Sequence, residues 1–96
     1  MKTKKEILAI LAAHKAGLQT QFKVKRLALF GSYARDDAGP DSDIDILVEV
    51  DPSIGLQFVT LADRIEQLLG TKTDIVSSGA ICPRHRAQIE QELIYV

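Results

Sequence analysis

The sequence has one cysteine, no tryptophan and no excess of basic residues. The lone Cys82 cannot form an internal disulfide, and this is typical of a protein that folds in a reducing cytoplasm. With 12 lysines and arginines against 13 aspartates and glutamates, the formal net charge is −1. Such a charge gives no general attraction for the phosphates of duplex nucleic acid, so we expect no direct nucleic-acid partner.

Long hydrophobic runs are also missing. No stretch approaches the roughly 20 apolar residues of a membrane-spanning helix, so no membrane association is expected. The basic start followed by apolar residues 7–13 has a superficial likeness to a signal peptide, but Thr3 and Glu6 have the spacing of a helix capping box. With 96 residues, 46% of them hydrophobic, the chain is expected to form one domain over residues 1–96.

Hydrophobic periodicity predicts three helices and three strands, in the order helix, strand, strand, helix, strand, helix. The predicted helices cover residues 3–22, 56–69 and 84–93, and the predicted strands cover residues 24–30, 43–50 and 73–76. Gly17 is a place where the first helix could bend or divide. The expected fold is α/β (α+β), with a small mixed sheet of three to four strands and helices packed on it.

Each of the first two helices has an apolar stripe at helical spacing that is expected to face the core. The stripe of the first helix consists of Ile7, Leu11, Leu18 and Phe22. The stripe of the second helix consists of Val59, Ala62, Ile65 and Leu69, with Gly70 in the position of a C-terminal cap.

The most informative stretch is residues 30–50, where a Gly31-Ser32 turn ends one strand and Asp43 and Asp45 open the next. Alternation along a strand places these two aspartates side by side on one face, with backbones about 7 Å apart, while Ile44 and the apolar residues after it face the core. Carboxylates at the start of a buried strand are costly unless a positive charge lies between them.

A third aspartate, Asp74, interrupts the third predicted strand, where burial would again penalise a carboxylate. Together with Asp43 and Asp45 it would form a hard-oxygen site suited to Mg²⁺ or Mn²⁺. The spacing Asp41-x-Asp43-x-Asp45 also resembles the start of an EF-hand calcium loop. Such a loop is excluded, because its sixth position would be Ile46 instead of glycine and its twelfth Pro52 instead of glutamate. If the three aspartates are only solvent-exposed residues at a strand end and have no binding role, no metal-dependent ATP binding is expected.

The Gly31-Ser32 turn offers backbone N–H groups and a hydroxyl to an anion. It is not a Walker A loop, whose Gly-Lys-Ser/Thr ending is absent. Arg35 could contact a phosphate or could pair with an aspartate of the following loop. A Gly-Ser turn, ten further residues and Asp-x-Asp on a strand together predict a phosphate-binding turn beside a divalent-metal site.

Two segments carry a family resemblance: Gly-Ser-Tyr-Ala-Arg at residues 31–35 and Ser-Asp-Ile-Asp-Ile-Leu-Val at residues 42–48. They resemble the signature of the polymerase-β-like nucleotidyltransferases, and the layout of the chain resembles the minimal nucleotidyltransferase (MNT) proteins. The resemblance implies a nucleotidyltransferase core. Asp36 stands where the family commonly has glycine, but aspartate tolerates left-handed backbone, so the turn is expected to survive.

The resemblance also implies functional roles. Asp43 and Asp45, with Asp74, would hold two Mg²⁺ ions, Mn²⁺ being possible in their place. Gly31 and Ser32 would bind the outer phosphates of the substrate ATP, with Arg35 as a further phosphate contact. Asp74 would also help to deprotonate the hydroxyl that attacks the α-phosphate.

The acceptor of the nucleotide is expected to be another molecule, because so short a chain has almost no residues left for an acceptor-binding domain. The resemblance to MNT proteins implies a cytoplasmic hetero-oligomer with a HEPN-domain ribonuclease toxin. In this interpretation the MNT protein acts as an antitoxin by transferring AMP from ATP to a tyrosine of the toxin. Two alternatives remain open: an antitoxin that neutralises by binding with little or no catalysis, and nucleotidyl transfer to a small molecule.

Overall fold

The first helix, α1 (Lys4–Phe22), begins at the predicted capping box. In the computed structural model, which describes residues 2–96, the Glu6 N–H donates to Thr3 Oγ1 at 3.2 Å and the Thr3 N–H donates to Glu6 Oε1 at 3.3 Å. The helix continues without a break through Gly17, so the division considered at that residue does not occur. Its predicted stripe is confirmed as buried: Ile7, Leu11, Leu18 and Phe22.

Four strands form one mixed sheet in the order β3-β2-β1-β4. They are β1 (Val24–Phe30), β2 (Ile44–Val50), β3 (Thr73–Ser77) and β4 (Ile94–Tyr95). β1 is antiparallel to both β2 and β4, whereas β3 is parallel to β2. The predicted fold class is confirmed. The segment assigned to β4 escaped prediction because two residues are too few to show alternation.

The second helix, α2 (Gln57–Leu69), ends as predicted at Gly70, which has a φ of 68° and donates its N–H to the Glu66 carbonyl at 2.9 Å. Of its predicted core stripe, Ile65 and Leu69 are confirmed and Val59 is wrong, while the buried Leu61 was not predicted. Leu61, Ile65 and Leu69 are fully buried, whereas Val59 is 61% exposed. Two residues correspond to about 200° around a helix, so burying Leu61 turns Val59 towards solvent.

The core lies between one face of the sheet and the helices α1 and α2. Buried residues from these helices form one cluster with Leu27 and Leu29 of β1 and with the inward-facing residues of β2. The third helix, α3 (Pro83–Glu92), buries none of its residues. It lies over the other face of the sheet, since its Ile89 lines cavities together with both Asp45 and Leu47.

The other regular segments of the described part of the chain are two short 3₁₀ turns, Pro52–Ile54 and Ser78–Ala80. Within residues 2–96, no helix is both long and apolar enough to cross a membrane.

Candidate active site

The three predicted acids lie at one end of the sheet. Asp45 of β2 is the direct register partner of Asp74 of β3 on one side and of Phe30 of β1 on the other. Asp43 immediately precedes β2. The expectation that burial penalises Asp74 is wrong, because β3 is an edge strand and this residue is exposed. The topology therefore brings the acids together, with one of them open to solvent.

Gly31 and Asp45 are fitted to each other. Gly31 has a φ of 77°, which residues with a side chain rarely adopt. A Cβ atom at this position would also lie 2.9 Å from Asp45 Cγ and still closer to its Oδ2. Any side chain at residue 31 would therefore displace the Asp45 carboxylate. The Gly-Ser turn and the Asp-x-Asp strand form one structural unit, a relation that the sequence motif does not reveal.

The turn after β1 is a single turn of helix closed by a Schellman motif. The Arg35 N–H donates to the Gly31 carbonyl and the Asp37 N–H to the Ser32 carbonyl, both at 3.0 Å. Asp36 has a φ of 65°, the left-handed conformation that closes such a turn. Aspartate therefore substitutes here for the glycine that is common in the family. Lys4 Nζ lies 2.9 Å from Asp36 Oδ2 and offsets part of the charge of the loop.

A cavity of about 370 Å³ lies between this turn and α3. Its walls are formed on the sheet side by Phe30, Gly31, Ser32, Arg35 and Asp45. The α3 side consists of His85, Gln88, Ile89 and Glu92, which are spaced as one face of a helix. Cavities of about 300–1,000 Å³ are typical of small-molecule sites. The predicted nucleotide-binding residues therefore share one cavity with Asp45, while Asp43 and Asp74 lie outside its lining.

Sequence reasoning missed Glu92. Its Oε2 accepts a hydrogen bond from the Gly31 N–H at 3.2 Å, and its Oε1 lies 2.8 Å from Arg35 Nη1. The side chain of Glu92 is only 13% exposed. The signal available in the sequence was an acid near the C-terminal end of a helix, where the helix dipole disfavours negative charge. Arg35 also pairs with Asp37 at 3.1 Å, so the loop pairing left open for this arginine does form.

The Asp45 carboxylate is held in an unfavourable electrostatic environment. Burial, followed by repulsion from Asp74 and Asp43, raises its pKa to about 6, although Arg35 acts in the opposite direction. Lys72 Nζ is 3.9 Å from Asp43 Oδ2, but its side chain is 80% exposed. A bound cation would relieve this repulsion.

The carboxylate oxygens of Asp43, Asp45 and Asp74 are suited to a hard divalent ion, because Mg²⁺ prefers such ligands. Across residues 2–96, no group of three or more histidine, cysteine, aspartate or glutamate side chains is already arranged to hold a metal ion.

The mixed sheet, the Gly-Ser turn and the facing aspartates define a class of nucleotidyl-transferring proteins. The family model named "Nucleotidyltransferase domain" matches residues 11–96, and the chain belongs to this family. It is 49% identical over 98 residues to MJ0128 of Methanocaldococcus jannaschii, which is provisionally named as a protein adenylyltransferase, with full coverage of both chains. It is 40% identical to the protein adenylyltransferase MntA of Thermococcus cleftensis, over 100% of this chain and 98% of MntA.

Solved structures share the fold. One that is provisionally described as a minimal nucleotidyltransferase has a TM-score of 0.79 and 34% identity, over 97% of this chain and 95% of its own. Another is a complex described as a tri-AMPylated Shewanella oneidensis HEPN toxin with an MNT antitoxin. Its matching chain has a TM-score of 0.54 and 21% identity, over 96% of this chain and 66% of its own. At that identity the likeness concerns the fold alone.

Proposed function

We propose that this protein transfers AMP from ATP to the hydroxyl group of a tyrosine on a partner HEPN-domain ribonuclease toxin. It would thereby act as the antitoxin of that toxin. The observation that carries the proposal is the fit of Asp45 against Gly31, which joins the acidic group and the phosphate-binding turn in one site. The names of the relatives support adenylyl transfer to protein. The HEPN–MNT complex supports the class of partner.

Nucleotide binding would use the turn after β1. Gly31, Ser32 and Arg35 all border the cavity, and a backbone N–H, a hydroxyl and a guanidinium are groups that donate hydrogen bonds to anions. Arg35 would orient the β- and γ-phosphates and offset their charge. Placing the triphosphate here leaves its α-phosphate close to the acidic end of the sheet.

The acids would hold Mg²⁺ as the divalent metal, with Mn²⁺ as a substitute. Asp43 and Asp45 would provide its principal ligands, and Asp74 would complete the site. When bound, two such ions would neutralise phosphate charge and favour in-line displacement of pyrophosphate. Without them, the repulsion among the carboxylates that raises the Asp45 pKa opposes entry of a triphosphate.

Asp74 would have a second role towards the acceptor. It lies on the edge strand β3 and is exposed, so a tyrosine presented by another protein can approach it. A carboxylate within hydrogen-bond reach of the tyrosine hydroxyl would take up its proton as the oxygen attacks the α-phosphate. The products would be AMP esterified to the acceptor oxygen and free pyrophosphate.

The test uses ATP labelled in the α-phosphate, Mg²⁺ and the purified HEPN-domain protein of the same organism. Label should move to that protein, and Asp43→Ala should abolish the transfer while the complex still forms. Asp41→Ala is the matched control, because it removes an exposed acid of the same loop and should leave the transfer intact.

Two results would contradict the proposal. Neutralisation of the toxin that is unaffected by Asp43→Ala would favour an antitoxin that acts by binding alone. Label that accumulates on a small molecule in the absence of any partner protein would favour a small-molecule nucleotidyltransferase.

A further inference from the structure

We propose that the Glu92 carboxylate is a built-in occupant of the phosphate-binding turn, which an incoming triphosphate must displace and which therefore sets the affinity for nucleotide. The inference rests on the proposed function, because it takes the turn at Gly31 as the binding site for phosphates. It assigns a role to a residue on α3, outside both sequence motifs.

The contacts of Glu92 are those that a phosphate oxygen would make. One carboxylate oxygen accepts from the Gly31 N–H at 3.2 Å, and the other lies 2.8 Å from Arg35 Nη1. Both donors belong to the predicted phosphate-binding turn. A carboxylate resembles a phosphate in presenting two oxygens to an arginine, so Glu92 and a phosphate compete for the same donors.

The negative charge of Glu92 also opposes the entry of a triphosphate into the cavity. The Glu92 carboxylate lines the same cavity as Asp45, so it repels that carboxylate and any phosphate placed between them. Its side chain is 13% exposed, so water screens this repulsion only partly. A triphosphate that enters beside an unmoved Glu92 would meet two carboxylates at once. Displacement of Glu92 frees Arg35 Nη1 and the Gly31 N–H, while Arg35 Nε remains paired with Asp37, and removes one of these negative charges from the cavity.

Release of Glu92 must occur mainly by rotation of its side chain, because the backbone after it is fixed. Ile94 and Tyr95 pair with Leu29 and Ala28 of β1. The Val96 N–H donates to the Leu27 carbonyl at 3.0 Å, and Lys15 Nζ donates to the Val96 carbonyl at 2.6 Å. These bonds hold the chain directly behind α3 on the sheet. The glutamate can therefore leave the turn while the helix stays in place.

The experiment compares the binding of inorganic tripolyphosphate, with Mg²⁺ in excess, to three proteins by isothermal titration calorimetry. They are the wild type, Glu92→Gln and Glu90→Gln. Glu90 lies on the same helix, is exposed, and borders a different cavity, so its substitution matches the change in net charge without touching the turn.

Glu92→Gln should bind tripolyphosphate about fivefold more tightly than the wild type, the size expected when a partly screened like charge and a competing ion pair are lost. Glu90→Gln should differ from the wild type by less than about twofold, since its charge is exposed. Equal or weaker binding by Glu92→Gln, an equal gain in both variants, or no binding by any of the three proteins would overturn the proposal.

A second measurement uses only the wild type, so it can test the proposal even if the Glu92→Gln variant folds poorly. In NMR titrations with tripolyphosphate, the Gly31 amide and the Glu92 side-chain carboxyl signals should shift together as the ligand binds. Binding that leaves both signals unchanged would overturn the proposal. Neither measurement requires transfer of AMP. A protein that transfers no AMP but passes both tests would refute the proposed function alone, and an active enzyme that fails them would refute the role of Glu92 alone.

Discussion

Substitution of Asp45 by asparagine should stabilise the metal-free protein at neutral pH. The carboxylate has a pKa of about 6 in the folded chain, whereas an unfolded aspartate has a pKa of about 3.9. An acid whose folded pKa is raised costs stability at every pH above its unfolded pKa, because the unfolded chain gives up the proton more readily than the folded chain does. The cost grows as the pH rises from about 4 to about 6 and is then constant. Asparagine has nearly the same shape without this charge.

The magnitude follows from the difference in pKa. Two pKa units correspond to about 3 kcal/mol, which is an upper limit because Asp45 is only half-buried and water screens part of the repulsion. A gain of about 1–2 kcal/mol is expected, which for a domain of this size raises Tm by about 5–10 °C. The gain should shrink as the pH falls from about 6 and approach zero below about pH 4, where the aspartate becomes protonated in both states.

The assay is thermal unfolding followed by circular dichroism at several pH values between 4 and 8, with EDTA present. Asp41→Asn provides the control, because it makes the same substitution at an exposed position in the preceding loop. A loss of stability in Asp45→Asn at pH 7.5, or a gain that increases as the pH falls, would refute the electrostatic account of the site.

Two further predictions concern packing and are measured by urea denaturation. Gly31→Ala should destabilise the protein by about 1–3 kcal/mol, because the new Cβ meets Asp45 and the residue has a positive φ. The control, Gly17→Ala, places its Cβ where no other atom lies within 4 Å. It should instead stabilise α1 by about 0.5–1 kcal/mol. Leu61→Ala should cost about 2–5 kcal/mol, because it empties a fully buried position, whereas Val59→Ala on the exposed face should change stability by less than about 0.5 kcal/mol. Equal effects within either pair would contradict the packing described.

The motif residues could be predicted because their positions follow from local rules. Alternation through β2 and the residue before it predicts that Asp43 and Asp45 share a face, and in the structure Asp43 is among the groups that repel the Asp45 carboxylate. Thr3 and Glu6 meet within one turn of helix, and Gly70 closes α2 through its own backbone. Each of these features involves residues that are close in sequence.

The parts that escaped prediction depend on contacts between distant segments. Leu61 and Val59 are both apolar, and only packing against α1 and the sheet decides which of them is buried. The exposure of Asp74 depends on β3 being an edge strand, which sequence order does not reveal. Glu92 reaches Gly31 across 61 residues, and no short-range pattern connects them.

The central claim is that this site transfers the α-phosphoryl group of ATP together with its nucleoside. The most direct measurement is a parallel pair of reactions with the proposed HEPN-domain partner and Mg²⁺, one containing ATP labelled in the α-phosphate and the other ATP labelled in the γ-phosphate. The account predicts that the partner gains label only from α-labelled ATP, that the γ-label leaves as pyrophosphate, and that Asp45→Asn abolishes both events although the variant is the more stable protein. Label from γ-labelled ATP on the partner, or undiminished transfer by Asp45→Asn, would contradict it.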